Sequence, residues 1–469
     1  MGTGSRRNTA LAHWVGAAQV SYGALAKELR AAAAVAGHHD VHPERSRITR
    51  WINDGEQPRP PVPELLAATL TRLCRLPRPL TPADLGFHGK PRTPALSGGW
   101  QPQAVVASIL TTTRSDAVTD DTTPTTVPLL SGPDLLHAVQ PWLHLPDAEL
   151  PDPTRPGRLG MSDVIAIQRT TDAFRTLDNA HGGGLSRRAV VGQLHHVTEL
   201  ATHGRTSDEV GRALFAAVAD LASVAGWMTH DVGRHAEAQH YFFLGLQAAK
   251  QAGPSGAGIA GHLLNCLARQ ANHLGREEDA LDLVQAAQYG TRKLPPGRLR
   301  ALLATLEARC HAVLGRLPES RRALGVADDA LAADNPDTTP TWAAWFDTAE
   351  HHVTVGVCEL IAAHHDPARA PRAVEMIQSG TAHRPAERTR SRAFDHIALA
   401  RAYARCGELE AADQATATAL DHFGNVTSTR VADRFRELDH ELATNPATKA
   451  AAETRDRIRA ALTPTSGDG

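Results

Sequence analysis

The sequence predicts an all-α chain built from a small helix-turn-helix bundle, a flexible linker and a long solenoid of helical hairpins. Three observations carry this. Aromatic residues make up only 4% of the 469 residues while alanine is abundant, which favours closely packed helices over sheets. Apolar residues recur at helical spacing and are stopped by glycine and proline. Helical hairpins also repeat along the C-terminal two thirds, each with a glycine at its turn.

The first element is an N-terminal bundle over residues 1–88, with four or five helical segments between residues 8 and 85. At its centre lies Ile48-Thr49-Arg50-Trp51-Ile52-Asn53-Asp54-Gly55-Glu56-Gln57-Pro58-Arg59-Pro60. This reads as a short helix with Ile48, Trp51 and Ile52 inward, ended by Gly55 and Pro58. Its outer side then carries Ser46, Arg47, Thr49, Arg50 and Asn53. Arginine forks suit guanine edges or phosphates, and Ser, Thr and Asn reach either. Ahead of it, Ser21-Tyr22-Gly23-Ala24-Leu25-Ala26-Lys27-Glu28-Leu29 opens another helix. Ser21 is placed to cap that helix, and Tyr22 and Lys27 lie beside its terminal amides, where a phosphate would sit. Arg6, Arg7, Arg45 and Arg59 would add backbone contacts. The competing reading is a helical bundle whose arginine-rich face is merely solvated.

Charge follows the same division. Residues 1–90 carry a balance of +5 and the remainder −7, within a net −2. A basic head on a mildly acidic body fits a nucleic-acid module joined to a domain that does not bind nucleic acid. Only five lysines occur, so nearly all positive charge is arginine.

Residues 89–160 change texture to Thr, Pro, Asp and Gly. The stretch Thr111-Thr112-Thr113-Arg114-Ser115-Asp116 through Thr126 offers too little apolar surface to order itself, so a flexible tether is expected. The apolar patch Leu129-Leu130, Leu135-Leu136 and Trp142-Leu143 is its one candidate for docking.

The repeat domain is placed at residues 161–462, with a disordered tail at 463–469. Its opening helix carries Val164, Ile165, Ile167, Phe174 and Leu177 and is terminated by Gly182-Gly183-Gly184. Hairpin turns follow at Gly233, Gly275, Gly315 and Gly407, which lie 42, 40 and 92 residues apart. The last interval is double, so a degenerate unit is expected around Val355–Ile377. The pattern resembles tetratricopeptide repeats at a longer spacing than the usual ~34 residues. An irregular all-α domain is the alternative. In a solenoid, the first helix of each hairpin lines the concave face.

Counting back six residues from each turn glycine gives Trp227, Arg269, Arg309 and Arg401. Three arginines at equivalent positions would form a cationic column, and His262, Asn265 and Asn272 share the face of the second unit. Such a groove suits a carboxylate or phosphate ligand, or a short peptide held through asparagine. The alternative is that these arginines pair with acids of neighbouring helices.

Other chemistries leave no motif. The five cysteines (Cys74, Cys266, Cys310, Cys358, Cys406) form no C-x-x-C pair, and read as small buried side chains in a reducing compartment. The histidine doublets at 195–196, 351–352 and 364–365 are poor chelates, because adjacent helical residues point about 100° apart. No metal, cofactor, nucleophile elbow or phosphate loop is expected, and the chain is not read as an enzyme. No membrane span or signal-peptide core is read, so a cytoplasmic protein is expected.

The Leu25-Ala26 start, then Ile48-x-x-Trp51, then Gly55 and Pro58, resembles the phage-repressor-like helix-turn-helix family. Between Ala26 and Trp51 this chain carries about a dozen extra residues compared with that family. The junction Asp163-Val164-Ile165-Ala166, Phe174-Arg175-x-Leu177-Asp178-Asn179 and Gly182–Gly184 resembles the segment opening the repeat domain of actinobacterial helix-turn-helix regulators with tetratricopeptide repeats. That resemblance implies a transcriptional regulator that binds double-stranded DNA as a homodimer, with repeats that sense a peptide or small-molecule effector or a protein partner. A repeat scaffold that binds proteins without reading DNA is the second reading.

Overall fold

The computed structural model describes residues 8–18, 20–35, 41–59, 61–74, 80–87, 99–118, 127–144, 159–203, 207–424, 426, 428–444 and 449–463. The described residues are helical, with no strand among them. They form two compact units, 1–94 and 95–469.

The first unit holds α1 (Thr9–Ala17), α2 (Tyr22–Val35), α3 (Arg45–Asn53) and α4 (Val62–Leu73), with a 3-10 turn at Ala83–Leu85. Its core joins Leu11 and Val15 of α1, Leu25 and Leu29 of α2, Ile48, Trp51 and Ile52 of α3, and Leu66 and Leu70 of α4. Asn8 caps α1 through its side chain, which accepts from the Leu11 amide at 2.9 Å and donates to the Leu85 carbonyl at 2.8 Å. That one residue ties the start of the bundle to its end. The surplus before Trp51 is accounted for in part by α2, which continues to Val35; residues 36–40 lie outside the described ones.

Among the described residues of the second unit, seven helical hairpins succeed one another. They are α7 (Met161–His181) with α8 (Gly183–His203), α9 (Asp208–Asp231) with α10 (His235–Gln251), and α11 (Ala257–His273) with α12 (Glu277–Thr291). Then come α13 (Arg298–Val313) with α14 (Leu317–Ala332), α15 (Thr348–Ala362) with α16 (Ala370–His383), α17 (Thr389–Cys406) with α18 (Leu409–Phe423), and α19 (Thr429–Thr444) with α20 (Lys449–Leu462). Ahead of them lie α5 (Pro102–Val118) and α6 (Gly132–His144). The expected turn glycines Gly233, Gly275, Gly315 and Gly407 all adopt positive φ, which explains why glycine stands there. The degenerate unit is the α15/α16 hairpin, whose turn at His364-His365-Asp366 instead leads into a 3-10 turn at Pro367–Arg369. Small residues let paired helices close: a Cβ on Gly226 would stand 2.6 Å from the Phe242 ring, and one on Gly356 2.5 Å from Ile377. By length and composition α9 could cross a membrane, but most of its apolar window is buried between neighbouring helices, as in a core helix.

The expected tether at 89–160 requires correction. Residues 102–118 and 132–144 are helices α5 and α6, packed on the second helices of the hairpins: α5 on α8 and α10, α6 on α10 and α12. Val105, Val106, Ile109, Leu135, Val139 and Trp142 enter the repeat core, so the apolar patch does dock. The Thr-rich stretch is ordered by means its composition hides. Thr113 returns its hydroxyl to the Ile109 carbonyl at 2.8 Å. Asp116 is buried and receives Arg187 at 2.7 Å, Arg234 at 2.9 Å and the Tyr241 hydroxyl at 2.7 Å. Burial raises that carboxyl, yet the donors from Arg187 and Tyr241 hold it below its ordinary value. Gln239 of α10 meets both backbone groups of Leu130, at 2.7 Å and 3.0 Å. Of the expected tail at 463–469, residues 464–469 lie outside the described residues, as do 88–98, 119–126 and 145–158.

One further feature defines the repeat domain: late hairpins return to early ones. Arg390 of α17 reaches back to Asp178 of α7 at 2.6 Å and to Asp231 at the end of α9 at 3.2 Å. Arg430 of α19 donates to Asp231 at 2.8 Å, as does the Ser428 hydroxyl, also at 2.8 Å. The Thr429 hydroxyl donates to the Asp231 carbonyl at 2.9 Å. These contacts, spanning sequence separations of 159 to 212 residues, form a buried seam that closes one side of the groove.

Candidate functional sites

In the head, Ile48, Trp51 and Ile52 are buried, and Arg45, Ser46, Arg47, Arg50 and Asn53 are exposed on the opposite side of α3, with Thr49 half-buried. Glu44, Arg45, Ser46, Thr49 and Arg50 border a shallow concavity. The outer positions thus fall together as the spacing predicted. Thr49 donates its hydroxyl to the Arg45 carbonyl at 3.0 Å, which leaves that oxygen free only to accept. Ser21 caps α2, its oxygen accepting from the Ala24 amide at 3.2 Å. Lys27 is exposed, whereas Tyr22 packs partly against the head's core. Sequence reasoning missed Glu56, one residue beyond the helix-ending Gly55. It binds Arg47 at 2.9 Å and Arg50 at 3.4 Å. These pairs are solvent-exposed and weak, so a phosphate can displace the carboxylate.

In the body, the first helices of all seven hairpins converge on one cavity of about 520 Å³. All seven groove residues read from the sequence line it: Trp227, His262, Asn265, Arg269, Asn272, Arg309 and Arg401. The lining holds eight arginines against four acids. Most of those arginines are neutralised locally. Arg401, expected in a free cationic column, is instead held by Glu441 at 2.5 Å and Glu437 at 3.0 Å, so the acid-pairing alternative describes that residue. Arg175 pairs with Asp172 and Asp220, and Arg388 with Asp347 at 3.2 Å.

Arg269 and Arg309 differ. Among the described residues neither makes an ion pair or hydrogen bond. The Arg269 guanidinium lies 5.0 Å from the Trp345 ring centre and 5.7 Å from that of Trp227. Burial, and then the charge of Arg434, bring Arg309 down to about 10. Asn265 is fully buried, and neither its amide nitrogen nor its oxygen has a partner. On the same helix, His262 lies tilted against Trp342, with ring centres 5.1 Å apart. Asn272 is drawn off toward the Cys310 sulfur at 3.9 Å. Trp342 and Trp345, which complete the wall, lie in an irregular segment that gave no periodic signal.

Several histidines turn inward to structural partners. His351 meets Asp328 at 2.6 Å and its neighbour His352 meets Ser379 at 3.1 Å, so that doublet diverges. His230, His235 and His273 form a ring cluster with centroids 4.9 to 5.9 Å apart. No group among the described residues has metal-holding geometry. Burial pushes His235 down to about 4 and His262 to about 3, and lowers His230 well below its ordinary value. In the unfolded chain these imidazoles titrate near ~6.5, so between that value and the folded ones the unfolded state binds more protons. The stability they confer is complete above ~6.5 and is lost as pH falls toward the folded values. Thermal unfolding should therefore shift downward between pH ~7 and ~5. An unfolding temperature that is flat over that range would contradict the buried, neutral assignment.

Compared with known proteins, residues 11–88 match the family model described as the SP15 N-terminal domain. No curated protein and no solved structure matches the chain.

Proposed function

We propose that the chain is a sequence-specific DNA-binding transcriptional regulator whose repeat domain receives an effector. The observation that carries this reading is the arrangement of α3. Three apolar residues are sunk in the head's core, and Arg45, Ser46, Arg47, Arg50 and Asn53 project from the other side. A short helix so mounted, next to a capped α2, is what a major groove accepts. On this reading the protein acts as a homodimer on a two-fold operator, and a ligand or protein partner in the repeat domain alters the spacing of the two heads. No enzymatic step is assigned. In a mobility-shift experiment with duplex from the protein's own promoter region, Arg47→Ala and Arg50→Ala should each weaken binding by about 1–3 kcal/mol, with helicity unchanged. Undiminished binding by the double variant would remove α3 from the interface and favour a scaffold that binds proteins through the same unit.

A further inference from the structure

We infer that the cavity of the repeat domain is a binding site for a compact organic anion, one carrying a carboxylate on a planar apolar body. This rests on the effector-receiving part of the functional reading but not on its DNA-binding part.

Three independent features point to such a ligand. The first is positive charge held without a direct partner: among the described residues Arg269 and Arg309 line the cavity and make no ion pair, while other arginines there are paired. A partly buried guanidinium that makes no ion pair has donors to spare, and a bound carboxylate would engage them. The second is Asn265, fully buried on the cavity wall with both amide atoms unpartnered. Buried polar groups are nearly always satisfied, so this one awaits a donor and an acceptor. It lies four residues before Arg269 on α11 and therefore on the same helix face. The third is the aromatic lining: Trp227, Trp342, Trp345 and Phe394 offer flat apolar surfaces.

Size and closure favour a small molecule over an extended peptide. A volume of about 520 Å³ sits within the roughly 300–1,000 Å³ of small-molecule clefts. The Asp231 seam also ties the last hairpins to the first ones at the cavity wall, which Arg390 and Arg430 line.

The test uses the full chain without DNA and titrates it calorimetrically with 2-naphthoate, and separately with its neutral isostere 2-naphthamide. The naphthoate should bind in the micromolar range and the amide at least about tenfold more weakly. Arg309→Met and Arg269→Gln should each weaken the naphthoate by about tenfold or more. Arg309→Met should also raise the unfolding temperature of the unliganded protein, because it removes a guanidinium whose buried Nε has no hydrogen-bond partner; a structural arginine would lower it. Equal binding of acid and amide, or no binding of either at millimolar concentration, overturns the proposal. That comparison needs no variant to fold. Loss of duplex binding in a separate experiment would leave this result standing, so the two readings fail independently.

Discussion

Asp231→Ala should destabilise the repeat domain by about 3–5 kcal/mol, the cost of stripping one partner from a buried ion cluster. Asp231 is fully buried at the end of α9. It accepts from Arg390, Arg430 and Ser428, and also from the Gly183 amide at 3.1 Å. Burial raises its carboxyl, but Arg390 and Arg430 outweigh this and hold it at about 2. Removing the carboxylate affects the two arginines unequally. Arg390 keeps Asp178, whereas Arg430 keeps only its stacking over Trp227 at 4.5 Å and Phe394 at 5.4 Å. The seam should then part, with a lower urea midpoint and a larger radius of gyration. Joint replacement by Asp231→Leu and Arg430→Met should recover much of the loss, since no charge is then left unpaired. A loss below about 1 kcal/mol for Asp231→Ala would mean that the seam contributes little to the closed form.

Trp51→Ala is expected to cost the head about 3–5 kcal/mol through the cavity left behind. The side chain is 4% exposed and packs among Ile48, Ile52, Leu25 and Leu66. A small domain has only about 5–15 kcal/mol in total, and less for the shortest, so this one substitution should unfold most of it. The loss should be local. Circular dichroism should fall only by the helices of the first unit, the cooperative melt of the repeats should persist, and duplex binding should vanish because α3 no longer has a support. A head that stayed folded and bound duplex normally would show that Trp51 does not anchor α3.

Much of this architecture was legible because local rules decided it. Gly233, Gly275, Gly315 and Gly407 each mark a backbone conformation that only glycine adopts cheaply, and a count back from them reaches residues that share one cavity. The inner and outer sides of α3 followed from the positions of Ile48, Trp51 and Ile52. What stayed hidden depends on distant partners. The stretch Thr111–Asp116 looked unable to order itself because its stabilising contacts come from Arg187, Arg234 and Tyr241, up to 125 residues away. The seam is hidden for the same reason: nothing beside Asp231 in sequence announces Arg390 or Arg430. Whether Arg401 is free or paired stayed open in the sequence because Glu437 and Glu441 lie on α19, one hairpin further on. The aromatic wall of Trp342 and Trp345 was missed because it belongs to a short irregular segment without period.

The DNA-binding reading is tested most directly by a salt titration of duplex binding to the full chain, using the protein's own promoter region. A groove-reading head that neutralises phosphates releases counterions, so the logarithm of affinity should fall linearly and steeply with the logarithm of salt. Arg47→Ala and Arg50→Ala should each lower affinity, and any arginine that contacts phosphate should reduce the slope by about 1. Binding that ignores salt, or that is absent at every salt concentration, would contradict the account and leave the chain as a repeat protein with a head that serves another partner.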